Sequence, residues 1–178
     1  MSATQTATWT IDQAHSAVGF TVRHMMVTKV AGQFERFSGR ISYDPANVAA
    51  ATVEVEIETA SITTRSADRD AHLRSADFFD AEAHPTITFK STSVEAGKGD
   101  RFTVHGDLSM HGVTRPVVLE AEFGGSGASP FGHTVAGFEA TTKFNRSDFG
   151  LTWNAALETG GVMVSDEIKI SLDIEAMQ

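Results

Sequence analysis

Apolar and polar residues alternate with a period of two through most of this chain. Val53, Val55 and Ile57 alternate with Glu54, Glu56 and Glu58, and Phe102, Val104, Leu108 and Met110 with Arg101, Thr103, His105, Asp107 and Ser109. Leu119, Ala121 and Phe123 alternate with Glu120 and Glu122, and Ile168, Ile170, Leu172 and Ile174 with Glu167, Lys169, Ser171, Asp173 and Glu175. Successive side chains on a strand point to opposite faces, so each segment has one apolar and one wet face. Such segments bury their apolar faces together only by rolling up or stacking. Short connections between antiparallel neighbours favour closure, which removes exposed edges. The expected fold is all-β: an antiparallel up-and-down barrel of about eight strands with one short helix. A two-sheet sandwich satisfies the same alternation and stays open.

Along the chain, a first strand over residues 8–12 points Trp9 and Ile11 inward, and a second over 16–26 points Val18, Phe20 and Val22 inward. The next runs over 30–43. Its alternation slips between Phe34 and Phe37, which reads as a bulge or bend. Asp44-Pro45 opens a turn. Residues 66–75 break the alternation and read as a short helix, with Ser66 as N-cap and Asp70 and Arg74 as an i,i+4 pair. A strand from Thr86 turns Ile87 and Phe89 inward. Turns follow at 97–100 and 110–112, a glycine-rich loop at 124–127, and then a strand with Phe138, Ala140 and Phe144 inward. Residues 145–161 form a longer irregular stretch, whose Phe149, Leu151 and Trp153 would close the barrel mouth as a lid. No linker or repeat divides residues 1–178, so one domain is expected.

Composition narrows the function. The chain has 178 residues and a formal charge of -9, carried mainly by the wet strand faces. Phosphate backbones would be repelled, which argues against nucleic acid as a partner. No apolar run reaches the length of roughly 18 residues that a spanning helix needs. Residues 1–7 are polar and uncharged and lack the pattern of an export signal, so the expected location is cytoplasmic. With no cysteine there is no disulfide and no thiolate chemistry. Twelve Phe against two Trp and one Tyr supply ring area without polar handles. An interior lined by Phe20, Phe34, Phe37, Phe89, Phe102, Phe123, Phe138 and Phe144 either packs dry or holds an apolar ligand.

Polar candidates are few. His24 is in phase with Val18, Phe20 and Val22, which points it inward, either toward a ligand headgroup or to a structural partner. Arg69, Asp70 and His72 lie on the helix. Arg69 either offers its planar guanidinium to a ligand oxygen or fixes the helix to the barrel. The seven His include no His-x-His and no His-Glu-x-x-His. His105 and His111 would stand on the order of 20 Å apart on an extended strand. No Gly-x-Ser-x-Gly elbow is present, and Gly124-Gly125-Ser126-Gly127 lacks a phosphate-loop lysine. No metal, cofactor or catalytic set is therefore expected. The alternatives are an isomerase or cyclase acting on an apolar substrate through His24 or His111, and a structural or stress protein with a closed core.

Several motifs in order carry a resemblance. Trp9-Thr-Ile-Asp12, His15-Ser16, Phe20-Thr-Val-Arg-His24, Gly32-Gln-Phe34 and Phe37-Ser-Gly39 open it. Arg69-Asp-Ala-His-Leu73, Asp77-Phe-Phe79 and Pro85-Thr-Ile-Thr-Phe89 continue it. The stretches 106–116 and Arg146-Ser-Asp-Phe-Gly150 complete it. From about residue 9 to 175 the chain resembles the YceI-like family. The resemblance implies a lipocalin-like barrel that binds, stores or transports a polyisoprenoid, a quinone with an isoprenoid tail, or another long-chain amphiphile, without catalysis. Many relatives are exported to the periplasm, from which this chain departs in lacking a signal. The ligand-binding set that follows is His24, Arg69 and His72 for a head, and Phe20, Val22, Phe34, Phe37, Phe89, Phe102, Phe138, Ala140, Phe144 and Trp153 for a tail. A homodimer stays open.

Overall fold

The computed structural model describes residues 6–178; the polar start at 1–5 lies outside the described residues. The strands in chain order are β1 (Ala7–Ile11), β2 (Ala17–His24), β3 (Thr28–Phe34), β4 (Phe37–Tyr43), β5 (Thr52–Glu58) and β6 (Ile62–Thr63). After helix α1 (Ala67–Arg74) come β7 (Thr86–Ala96), β8 (Arg101–Met110), β9 (Val113–Ala128), β10 (Thr134–Asn145) and β11 (Val164–Met177). All pairings are antiparallel. The order β1-β4-β5-β7-β8-β9-β10-β11 returns to β1 through Thr10↔Met177 and Ile11↔Ala176, closing an eight-stranded barrel. Strand β11 is long enough to serve two neighbours. Its last residues pair with β1, while Ile168 to Asp173 pair with β2, from which β3 and β6 continue.

The period-two reading places the inner faces correctly. Ile168, Ile170, Leu172 and Ile174 face the interior, and Glu167 and Lys169 are exposed. Three local readings change. Residues 30–43 are two strands, β3 and β4, with different neighbours. Between them Glu35 and Arg36 step across, their N–H groups donating to Ser61 O and Oγ, and Arg36 forks onto Glu58 at 2.6 and 2.8 Å. With two residues of crossing between them, Phe34 and Phe37 both end buried. The glycines at 124–127 continue β9 rather than forming a loop, because β10 pairs with them through a register shift at Gly137/Phe138. The reversal falls at Ser129–His133 instead. Asp70 and Arg74 of α1 make no direct ion pair, although the charge of Arg74 still acts on Asp70. Asp70 is buried and accepts from Thr64 N and Oγ1, while Arg74 Nε donates to Ala60 O at 3.2 Å. Ser66 does cap the helix, its Oγ accepting from Arg69 N at 3.4 Å.

Packing differs along the barrel. At one end Tyr43 lies 5.0 Å from Phe123 and 5.3 Å from Phe138, centroid to centroid, with Phe102 completing a solid aromatic floor. Gly106 interrupts the inward row of β8 because the Phe89 ring occupies the space. A Cβ there would sit 2.4 Å from Phe89 Cζ and 2.7 Å from Lys90 O. The opposite end is covered by α1, by Phe78 and Phe79 after it, and by the stretch between β10 and β11.

Candidate ligand cavity

Between floor and cover the barrel is hollow. An apolar cavity of about 230 Å³ runs along its interior. Phe20 and Val22 of β2, Ala140 and Phe144 of β10, and Ile168, Ile170 and Leu172 of β11 face inward yet remain only half-buried. They face the hollow rather than one another. Val53, Val55 and Ile57 of β5 form the opposite wall. Tyr43, Phe102 and Phe138 close the floor, and Leu73, Phe78, Phe79 and Leu151 the cover. Left empty, an apolar void of this size would forfeit on the order of 5 kcal/mol of packing. A hydrocarbon occupant would recover it.

Nine residues read from the sequence as tail-binding line this cavity: Phe20, Val22, Phe34, Phe37, Phe89, Phe102, Phe138, Ala140 and Phe144. The remaining four are elsewhere. His24 is half-buried at the end of β2, opposite Thr28 and Val164 and past the last lining residue of that strand, Val22. Arg69 is exposed; its Nε donates to Thr64 Oγ1 and its Nη2 to Thr64 O, both at 2.7 Å. It fixes α1 to the segment that leads into it from β6. The His72 Nε2 lies 2.9 Å from Asp77 Oδ2, and its ring meets Phe78 and Trp153 edge-on at 4.9 and 4.7 Å. Trp153 packs on the outer side of Phe78, one layer back from the cavity. The irregular stretch does contribute to the cover, but through Leu151, with Phe149 buried beneath Phe144 at 5.2 Å.

Several lining residues escape the sequence reading, Thr142 and Arg146 among them. Thr142 falls in phase between Ala140 and Phe144, so extending the period-two count along β10 would have found it. Arg146 gives no periodic signal, because it follows the last residue of β10. It is 5% exposed, and its guanidinium donates to Leu151 O at 2.9 Å, Ser165 O at 3.1 Å and Val164 O at 3.4 Å. Burial pushes its pKa down, and the charge of Asp166 works against that. The guanidinium ties both ends of the 151–164 stretch to the barrel rim. Among the described residues, one trio could offer three metal ligands: Asp12, His15 and Glu175. Its His15 Nδ1 is already engaged by Asp12 Oδ2 at 2.7 Å, a hydrogen bond that raises the His15 pKa. None of the trio lines the cavity.

Comparison with known proteins agrees with this architecture. The profile of the YceI-like domain matches residues 9–176. A UPF0312 protein of Vibrio cholerae is 41% identical over 165 residues, covering 93% of this chain and 83% of its own. The crystal structure of BcnA from Burkholderia cenocepacia superposes with a TM-score of 0.82 at 25% identity, covering 93% of this chain and 98% of that one. A polyisoprenoid binding domain from Saccharophagus degradans, implicated in plant cell wall breakdown, shares the fold. Its TM-score is 0.64 at 14% identity, over 94% of this chain and 97% of its own. This chain belongs to the YceI-like family.

Proposed function

We propose that the protein is a binding protein that holds one long apolar lipid chain, a polyisoprenoid or the isoprenoid tail of a quinone, inside its barrel without chemical turnover. The observation that carries this reading is the apolar cavity between the aromatic floor and the helical cover. Burying each methylene contributes about 0.8 kcal/mol, so a long tail gains ample affinity from volume alone. The same wall offers little to a polar head. An unpaired buried polar group costs about 1–3 kcal/mol, so the head belongs at a cavity end, where water or backbone groups reach it. The family, and the fold shared with a domain described as polyisoprenoid-binding, support the choice of tail. The barrel would then sequester, store or carry the lipid between sites of use.

The test is direct. Organic extraction of the purified protein, followed by mass spectrometry, should release a stoichiometric lipid with a long branched chain. A protein that yields none and takes up none on incubation with prenyl lipids or quinones would overturn the proposal in favour of a closed core. Chemical conversion of the added lipid would instead make it an enzyme.

A further inference from the structure

The hairpin joining β2 to β3 has the wrong residues for its own geometry. His24 O accepts from Val27 N at 3.1 Å, and the two central residues, Met25 and Met26, have φ of 50° and 63°. Two central residues with positive φ define the turn type that favours Asn-Gly, since larger side chains are disfavoured there. Here two methionines occupy it, and local stability does not explain them. Their side chains are displayed: Met25 is 45% exposed, Met26 58% and Val27 74%. Val162, also exposed, joins them from the neighbouring stretch. Met25 N donates to Met163 O, and Met26 packs over Gly161, where a Cβ would meet its Cγ at 3.0 Å. Four of the six exposed large apolar side chains among the described residues thus gather at one point.

Immediately behind this tip, Arg23 and Lys29 face each other in register across the two strands. Both are exposed, and among the described residues neither has an ion-pair partner within 4.0 Å. Like charges directly opposite on a sheet are destabilising, so this pair is again unexplained by the fold. It is the more unusual on a chain of formal charge -9. An apolar tip with a cationic pair behind it is complementary to one surface in particular. The tip enters the acyl boundary while the cations meet anionic headgroups. The cavity wall leads to the same place. Val22 and Val164 line the cavity, Val22 stands three residues before Met25, and Val164 pairs with His24.

We infer that the β2–β3 hairpin is a docking tip for an anionic phospholipid membrane, placed so that lipid enters or leaves the barrel beside it. The exchange role rests on the lipid-binding reading above; the docking does not. The test is co-flotation with vesicles of phosphatidylcholine, with and without phosphatidylglycerol, alongside the lipid content of the same preparations. Wild type should float with the anionic vesicles, and salt should weaken the association. Replacing both Arg23→Gln and Lys29→Gln should weaken it about thirtyfold, given the contribution of each basic residue near an anionic surface. The double variant Met25→Asn, Met26→Gly should lose flotation while melting no lower than wild type, because it supplies the residues the turn prefers. That result cannot come from misfolding. Wild type that carries lipid yet does not float would overturn the docking and leave the carrier reading standing. Wild type that floats but carries none would support the docking and remove its exchange role. A dimer in solution that the Asn-Gly variant dissociates, without vesicle binding by wild type, would overturn the inference and assign the tip to a second copy of the chain.

Discussion

At the scale of single residues, the least expected group is Arg146. A guanidinium normally earns burial through a carboxylate, yet the three acceptors here are backbone carbonyls, at Leu151, Val164 and Ser165. Its work is mechanical: the planar fork holds a segment without regular structure against the barrel. Arg146→Met keeps an apolar stem beside the cavity and removes the fork. The expected loss is about 2–4 kcal/mol, since hydrogen bonds to charged groups are the stronger kind and the Leu151 and Ser165 carbonyls would lose this donor, while Val164 O keeps Asn154 Nδ2. The midpoint of urea unfolding measures it. Arg146→Lys should rescue little, because a single ammonium cannot reach three separated carbonyls in a plane. An unchanged midpoint in the methionine variant would show that water satisfies the carbonyls and that the fork is dispensable.

At the scale of elements, Asp70 holds α1 to the segment that leads into it from β6. Burial alone would push the Asp70 carboxyl up. The hydrogen bonds from Thr64 Oγ1 and N, a further one from Thr63 and the charge of Arg74 outweigh it and hold the carboxyl below its ordinary value. A depressed folded value stabilises above the unfolded value, and that stability is lost as pH falls through the folded one. The difference in melting temperature between wild type and Asp70→Asn should therefore be full at neutral pH and shrink below the ordinary aspartate value of 3.8. A gap that persists unchanged into strong acid would mean that the shape of the side chain matters and its charge does not. The helix itself was legible, because Ser66 and the loss of alternation mark it. Its anchor was not. Spacing along a helix suggests Arg74 as the partner of Asp70, whereas Thr64 wins because the chain folds back before the helix begins. The same limit explains the other departures. Glu35 and Arg36 divide two strands because Ser61 waits beside them, and the glycines at 124–127 extend because β10 lies alongside. Alternation reports which face is buried; it does not report which neighbour supplies the hydrogen bonds.

At the scale of the whole molecule, inward phenylalanines read the same in a solid barrel and in a hollow one, so only the structure shows that the wall residues of β2, β10 and β11 stand apart. Ala140 tests what that space is for. It faces the cavity, pairs with Ala121 and Leu172 on either side, and is only half-buried. Tryptophan at this position would fill the hollow from the wall. If the hollow belongs to a lipid, Ala140→Trp should fold, carry little extractable lipid, and melt at the same temperature before and after organic stripping. Wild type should lose stability on stripping. A ligand held at a hundredfold excess over its Kd contributes about 2.7 kcal/mol, or roughly 5–10 °C for a chain of this length. If instead the interior closes on itself in solution, the same tryptophan would overpack it and cost about 1–3 kcal/mol, and wild type would be indifferent to stripping. The two melting curves, stripped and unstripped, for the two proteins therefore separate a vessel from a solid core, because filling the space and emptying it move stability in opposite directions only when something was there.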